Sequence, residues 1–261
     1  MKTYNFNKEA PVGFFDSGVG GLSVLQEAVK LLPEENFIYY GDSKNAPYGT
    51  KPIEEIKRLS FAAADFLLSR GVKALVVACN TATSASIEEL RDTYSNIPII
   101  GIEPALKPAV ELKLPGKIII MATPVTLAEK KFYDLIKSYA ENSVIQPLPC
   151  PGLAELIEDG KLTGEEISYF LRNILEPFMV SPIASIVLGC THYPFIKGEL
   201  SRIIGADIPI IDGSAGTARE LRRQLSLKDL LSDRTIKGNI HIFNSLEGEE
   251  IIKFSYTLLN Q

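Results

Sequence analysis

Part of this chain is written twice. Ala74-Leu75-Val76-Val77-Ala78-Cys79-Asn80-Thr81 is echoed by Ser185-Ile186-Val187-Leu188-Gly189-Cys190-Thr191-His192. Cys79 and Cys190 stand 111 residues apart, and eighteen residues after each comes Ile-Pro-Ile-Ile, beginning at Ile97 and Ile208. A fainter echo sets Phe14-Phe15-Asp16-Ser17 against Ile120-Met121-Ala122-Thr123. Two marks sharing one offset constrain the fold more than any single motif, because they require the same unit of structure to be built twice. The alternative is two similar strands inside one sheet.

The unit itself is α/β. Short apolar, β-branched runs occur at about 12–16, 37–41, 74–79, 97–102, 117–122, 143–148, 185–190, 208–212 and 239–243. Amphipathic stretches separate them, as in 53–68, where apolar residues fall at 53, 56, 59, 63, 66 and 67. Runs as apolar as Ala74-Leu75-Val76-Val77 suit parallel strands covered on both faces, and alternation with helices suits a doubly wound sheet. The expected architecture is two pseudo-symmetric α/β domains with mainly parallel sheets, facing each other across a central cleft. The last segment reads as the end of a returning sheet. The expected domains are therefore 1–99 plus 211–261, and 100–210.

Composition narrows the function. With 46% hydrophobic and 23% charged residues, the 261-residue chain has the makings of a globular core rather than of a disordered or fibrous protein. A net charge of −5 argues against a nucleic acid or an anionic membrane surface as partner. Apolar runs such as Ala74 to Cys79 are about six residues long, far short of the roughly 18 a membrane helix needs. Met1 to Pro11 is polar, without an apolar signal core, so a cytoplasmic location is expected. Three cysteines, an odd number in a long chain, do not suggest a disulfide framework.

Two of those cysteines belong to the repeat. Each falls where a strand ends and a helix is expected, and ligands collect at that end of a parallel sheet. A helix N-terminus there would favour a thiolate. Cys150, between Pro149 and Pro151, reads as a small buried hydrophobe. Cys79 and Cys190 come with polar neighbours, Asn80-Thr81 and Thr191-His192. Two thiols presented from two related halves suit racemisation, which takes a proton from one face of a carbon and returns one to the other. One residue must be base while its partner is acid.

Competing chemistries fit less of the pattern. Asp16-Ser17-Gly18-Val19-Gly20-Gly21 has the look of a dinucleotide loop, with Asp42 as a ribose acid, but Ser23 stands where the fingerprint needs glycine. Its backbone N–H groups could still receive an anion such as a carboxylate. Asp212-Gly213-Ser214-Ala215-Gly216 misses the nucleophile-elbow pattern. Cys79, Cys190 and His192 lack paired zinc-ligand spacing, so no metal is expected. Cys190 and His192 could form a nucleophile–base pair, which leaves Cys79 without a role. A non-catalytic amino-acid-binding protein with a two-lobed cleft is the alternative from another class.

At these residues the sequence resembles the glutamate racemases. The matching motifs are Phe15-Asp16-Ser17-Gly18-Val19-Gly20-Gly21, Tyr40-Gly41-Asp42, Pro47-Tyr48-Gly49, Ala78-Cys79-Asn80-Thr81 and Gly189-Cys190-Thr191-His192-Tyr193-Pro194, in family order from residue 12 to about 216. The resemblance implies a cofactor-independent racemase that interconverts L- and D-glutamate, supplies D-glutamate for peptidoglycan, and forms a homodimer. It implies that Cys79 takes the proton of D-glutamate and Cys190 that of L-glutamate, with Asp16 and His192 as auxiliary groups. A third auxiliary carboxylate follows a Cys-Pro pair in the family, and here Glu158 fits that spacing better than Glu155. Substrate contacts are implied for Asp16, Ser17, Pro47, Tyr48, Gly49, Asn80, Thr81, Thr123, Thr191 and His192. Asp16 is also open to a plainer reading as a helix N-cap, and Glu158 as a solvated helix carboxylate. An aspartate or broader amino-acid racemase is the neighbouring alternative.

Overall fold

The β-branched runs form nine strands among the residues described in the computed structural model, 7–139 and 143–261; the polar stretch at 1–6 lies outside them. Five strands make one sheet: β1 (Val12–Asp16), β2 (Phe37–Gly41), β3 (Ala74–Val77), β4 (Ile99–Gly101) and β9 (Ile240–Asn244). Four make the other: β5 (Lys117–Ala122), β6 (Val144–Pro149), β7 (Ile183–Leu188) and β8 (Ile210–Asp212). The first runs β4-β3-β1-β2-β9 and the second, read from its far edge, β8-β7-β5-β6. Every pairing is parallel.

The duplication extends to register. Phe14 lies opposite Val76, which lies opposite Ile100; in the second sheet Ile120 lies opposite Val187, which lies opposite Ile211. The two echoes seen in the sequence therefore occupy the same rungs of two ladders with matching register. Strand β9, which extends the first sheet beyond β2, has no counterpart in the second among the described residues.

The central strands of both sheets, β1 and β3 in the first and β5 and β7 in the second, are buried on both faces, which is why they are so continuously apolar. In the first, Phe14 and Val76 face one core with α1 (Leu22–Leu31), α10 (Ser214–Leu227) and α11 (Glu249–Leu259). Phe15, Leu75 and Val77 face the other with α2 (Ile53–Leu68) and α3 (Asn80–Thr93). In the second, Ile119 and Ile186 pack with α7 (Leu153–Glu158), α8 (Glu165–Leu175) and α9 (Lys197–Ile204), while Ile118 and Ile120 pack with α4 (Leu106–Glu111) and α6 (Lys130–Tyr139). Between them, α5 (Pro124–Ala128) follows β5. The chain passes from the first sheet to the second after β4 and leaves the second after β8, and α10 then packs on α1.

The two strands carrying the repeat end earlier than the sequence suggests. Expected to 79 and 190, they stop at Val77 and Leu188. Ala78 N–H still donates to Phe15 O at 2.9 Å, and Gly189 N–H to Met121 O at 2.7 Å, so the ladder runs one rung further. Each cysteine then leaves the sheet, freeing its side chain from the pleat. No described helix is long and apolar enough to cross a membrane.

Candidate active site

The residues beyond the carboxyl ends of β1, β3, β5 and β7 meet in one buried cluster. Cys79 is the N-cap of α3, and its Sγ accepts a hydrogen bond from Ala82 N–H at 3.4 Å. Its thiol lies 3.7 Å from Ser17 Oγ, and Ser17 in turn lies 3.5 Å from Asp16 Oδ1. Asp16 Oδ1 also takes Gly18 N–H at 3.0 Å, while Oδ2 accepts from Thr191 Oγ1 at 2.9 Å. Helix α1 is capped by Gly21, so Asp16 is not its N-cap. Instead Asp16 ties the Cys79 side to the Cys190 side.

On the other side, His192 Nδ1 lies 3.6 Å from Cys190 Sγ, and His192 Nε2 lies 2.5 Å from Glu158 Oε1. Glu158 Oε1 also accepts Val19 N–H at 2.7 Å, and Oε2 accepts from Ser43 Oγ at 3.1 Å. Glu155 does not share this contact; it sits in the first turn of α7, a turn before Glu158. The anion received by the glycine loop is therefore a carboxylate of the protein itself, where the sequence suggested a ligand. Glycine is needed for that approach, since a Cβ at Gly18 would lie 1.8 Å from Glu158 Oε1 and one at Gly20 would lie 2.5 Å from His192 Nδ1.

A third group forms a floor of hydroxyls between the halves. Thr81 Oγ1 lies 3.1 Å from Thr123 Oγ1 and 3.2 Å from Thr126 Oγ1, and Thr123 Oγ1 donates to Thr126 Oγ1 at 2.9 Å. Thr123 caps α5, whose first residue is Pro124, suited to a position with no hydrogen-bond partner for its nitrogen. The loop containing Pro47, Tyr48 and Gly49 packs here, Gly49 against Thr123, and Tyr48 OH donates to Asp42 Oδ2 at 2.8 Å. Asn80 is buried, and its Oδ1 has no hydrogen-bond partner among the described residues.

The charged groups are spread unevenly over the two sides. Burial pushes the Cys79 thiol up to about 12, with the Asp16 charge adding to it; the α3 N–H and Ser17 oppose this and are outweighed. The sequence led us to expect helix-lowered thiols; at Cys79 desolvation is the larger effect. Burial likewise takes Cys150 to about 12. His192 moves well above its ordinary value: burial opposes the charge, but Cys190 and Glu158 together overcome it. For Glu158 burial is the largest influence and acts upward, yet the His192 hydrogen bond and charge, Val19 N–H and Ser43 together hold the carboxyl below its ordinary range. Asp16 is raised by burial, which His192 and Thr191 only partly offset.

Nearly every residue singled out in the sequence falls in this cluster; Cys150 lies beside it, its carbonyl accepting from Tyr193 OH at 3.3 Å. Sequence reasoning missed Thr126, Ser43 and Asn244. Thr126 was findable as the cap partner three residues after Thr123, and Ser43 from its place next to Tyr40-Gly41-Asp42. Asn244, in an edge strand far along the chain, gave no signal.

Comparison with known proteins follows the same lines. The family described as Asp/Glu/Hydantoin racemase matches residues 17–221. A glutamate racemase of Clostridium botulinum (strain Hall) is 61% identical over 252 residues, covering 97% of this chain and 98% of that protein. The structure of Escherichia coli glutamate racemase, in complex with L-glutamate and the activator UDP-MurNAc-Ala, superposes with a TM-score of 0.84 at 32% identity, covering 95% of each chain. That of Francisella tularensis glutamate racemase with D-glutamate gives a TM-score of 0.83 at 28% identity, covering 98% of this chain and 95% of that one.

Proposed function

The chain belongs to the Asp/Glu/Hydantoin racemase family, and from that premise we propose that it interconverts L- and D-glutamate with Cys79 and Cys190 as the two acid/base groups. The observation that carries this reading is the placement of two buried thiols at equivalent points of two sheets with the same strand order and register, with Asp16 hydrogen-bonded to Ser17 beside Cys79 and to Thr191 next to Cys190 in the chain. A stereocentre held between them would present opposite faces to the two sulfurs, as inversion by two bases requires.

From L-glutamate, Cys190 thiolate takes the α-proton and the Cys79 thiol delivers one to the opposite face. The reverse reaction exchanges their roles. His192, held protonated by Glu158, stabilises the thiolate at Cys190, since its Nδ1–H faces that sulfur. At Cys79, burial keeps the resting group a thiol, ready to act as acid. The unpartnered Asn80 Oδ1 suits the substrate ammonium, and the Thr81, Thr123 and Thr126 hydroxyls suit a carboxylate. Glutamate, rather than aspartate, is supported by the relatives' substrate and by the close kinship. The product would serve peptidoglycan synthesis in the cytoplasm, and the expected assembly is a homodimer.

The test is incubation with L-glutamate in deuterated water without added pyridoxal phosphate, following optical rotation and deuterium at Cα. Racemisation with deuterium uptake is expected. Cys79→Ser and Cys190→Ser should each lower kcat/KM by about 10³-fold, within the usual range for loss of a general acid or base. Parent-like racemisation by either variant would refute the two-thiol mechanism, and turnover of L-aspartate in place of L-glutamate would refute the substrate.

A further inference from the structure

The first sheet's extra strand reaches the site through a chain of hydrogen bonds. Asn244, the last residue of β9, accepts Leu246 N–H on Oδ1 at 2.8 Å, which fixes which end of its amide is which. Its Nδ2 therefore donates to Ser43 Oγ, at 2.9 Å. With its acceptor side so occupied, the Ser43 hydroxyl directs its own proton to Glu158 Oε2, at 3.1 Å. Glu158 then holds three donors, Val19 N–H, Ser43 and His192, on two oxygens. The close packing of this corner is visible at Gly41, where a Cβ would lie 2.9 Å from Asn244 Nδ2.

We propose that Ser43 and Asn244 are positioning residues for proton transfer at Cys190, acting by fixing the Glu158 carboxylate against His192. The inference rests on the two-thiol reading above. Without Ser43, Glu158 keeps Val19 and His192 but loses the donor on its second oxygen. The carboxylate can then rotate, and the imidazolium is less firmly aimed at Cys190. Ser43 touches neither thiol, so its effect passes through Glu158 and His192. The Cys79 side is built differently: its thiol neighbours are Ser17, which leads to the Asp16 carboxylate, and the α3 N-terminus, with no imidazole between.

The symmetry of the reaction decides how this must be measured. L- and D-glutamate are mirror images with equal free energy, so the equilibrium constant is one and kcat/KM must fall equally in both directions. The side affected is read instead from isotope effects with α-deuterated substrates. If the Cys190 step becomes slower, the isotope effect on kcat/KM rises for L-glutamate, whose α-hydrogen Cys190 removes. It falls for D-glutamate, whose α-hydrogen leaves to Cys79 in a step that now limits less.

Ser43→Ala and Asn244→Ala should lower kcat/KM by about tenfold, as expected for a hydrogen bond to a charged group, with the two isotope effects moving in opposite senses. Ser43→Thr, which keeps the hydroxyl, should recover most of the loss. Isotope effects that stay at parental values or move together would overturn the inference, as would parental kcat/KM in Ser43→Ala. If Ser43→Ala fails to fold, Asn244→Ala and Ser43→Thr carry the same test. Cys190→Ser run alongside separates the two failures: a dead Cys190→Ser with a parent-like Ser43→Ala refutes only the positioning role, whereas an active Cys190→Ser refutes the mechanism beneath it.

Discussion

The halves of this molecule are alike in backbone and unlike in chemistry. Four strands of each run in the same order and register, and each half turns a cysteine out of its ladder one residue after the same rung. Two residues further on, the first half places Thr81 and the second His192. Thr81 joins a cluster of neutral hydroxyls, whereas His192 joins an ion pair with Glu158. A repeated scaffold thus fixes where two sulfurs stand, and a few side chains give each sulfur different surroundings.

The difference also extends to the end of the strands away from the site. Lys73, just before β3, is fully buried with its ammonium 2.5 Å from Glu35 Oε2 and also donating to Lys8 O. Glu35 Oε1 accepts Ser232 N–H at 2.8 Å, so the pair ties together the amino ends of the first sheet and the loop before β9. One offset of 111 away stands Ala184, apolar and buried. The first half therefore holds a buried charge pair where the second half holds a methyl group.

Three experiments test this difference between the halves. The largest effect is expected from Lys73→Met, which leaves Glu35 buried without its cation and should cost about 3–5 kcal/mol. Denaturant unfolding should show that loss while kcat/KM of the folded protein stays near the parent value. An equal loss of activity would mean that the two ends of the first sheet are coupled.

Next is Glu158→Gln, expected to cost about 2 kcal/mol through loss of a charge-assisted bond, with a distinctive pH dependence. Glu158 is shifted down, so its contribution is present above the ordinary value of 4.5 and is lost as pH falls through the native value. His192 is shifted up, so its contribution is present below 6.5 and is lost as pH rises through its higher native value. The stability gap between parent and variant should be widest between those ordinary values and narrow on both sides. A gap independent of pH would contradict the ion pair.

The smallest effect concerns the thiols. With burial holding Cys79 and Cys150 near 12 and an imidazolium facing Cys190, a neutral alkylating reagent at pH 7 should label Cys190 first, by about tenfold. Peptide mapping that finds Cys79 labelled first would reverse the assignment of acid and base in the resting protein.

Much of this was legible in the chain because the relevant signals are local or periodic. The central strands β1, β3, β5 and β7 were visible as unbroken apolar runs, since a parallel strand buried on both faces leaves little room for polar residues, whereas the half-exposed edge strands β6 and β9 were read from their β-branched and aromatic residues and admit Gln146 and His241. Asp16, Ser17, Thr81, Thr123 and Thr191 stood beside strand ends, where a sequence reader knows to look. The polarity of the thiols was not legible. The cap position of Cys79 promised a lower pKa, and only the burial around it showed that desolvation dominates. Asn244 was hidden because its partner Ser43 lies 201 residues away, and one asparagine at the end of an edge strand differs in no visible way from any other.

The duplicated unit, the two cysteines it carries and the family to which the chain belongs follow from the order of residues, because offset, hydrophobic period and motif are properties of that order. Which carboxylate meets His192, which anion fills the glycine loop and what surrounds each thiol do not. Those outcomes depend on distances between segments remote in the chain and on the exclusion of water around them, which exist only once the halves have closed on each other.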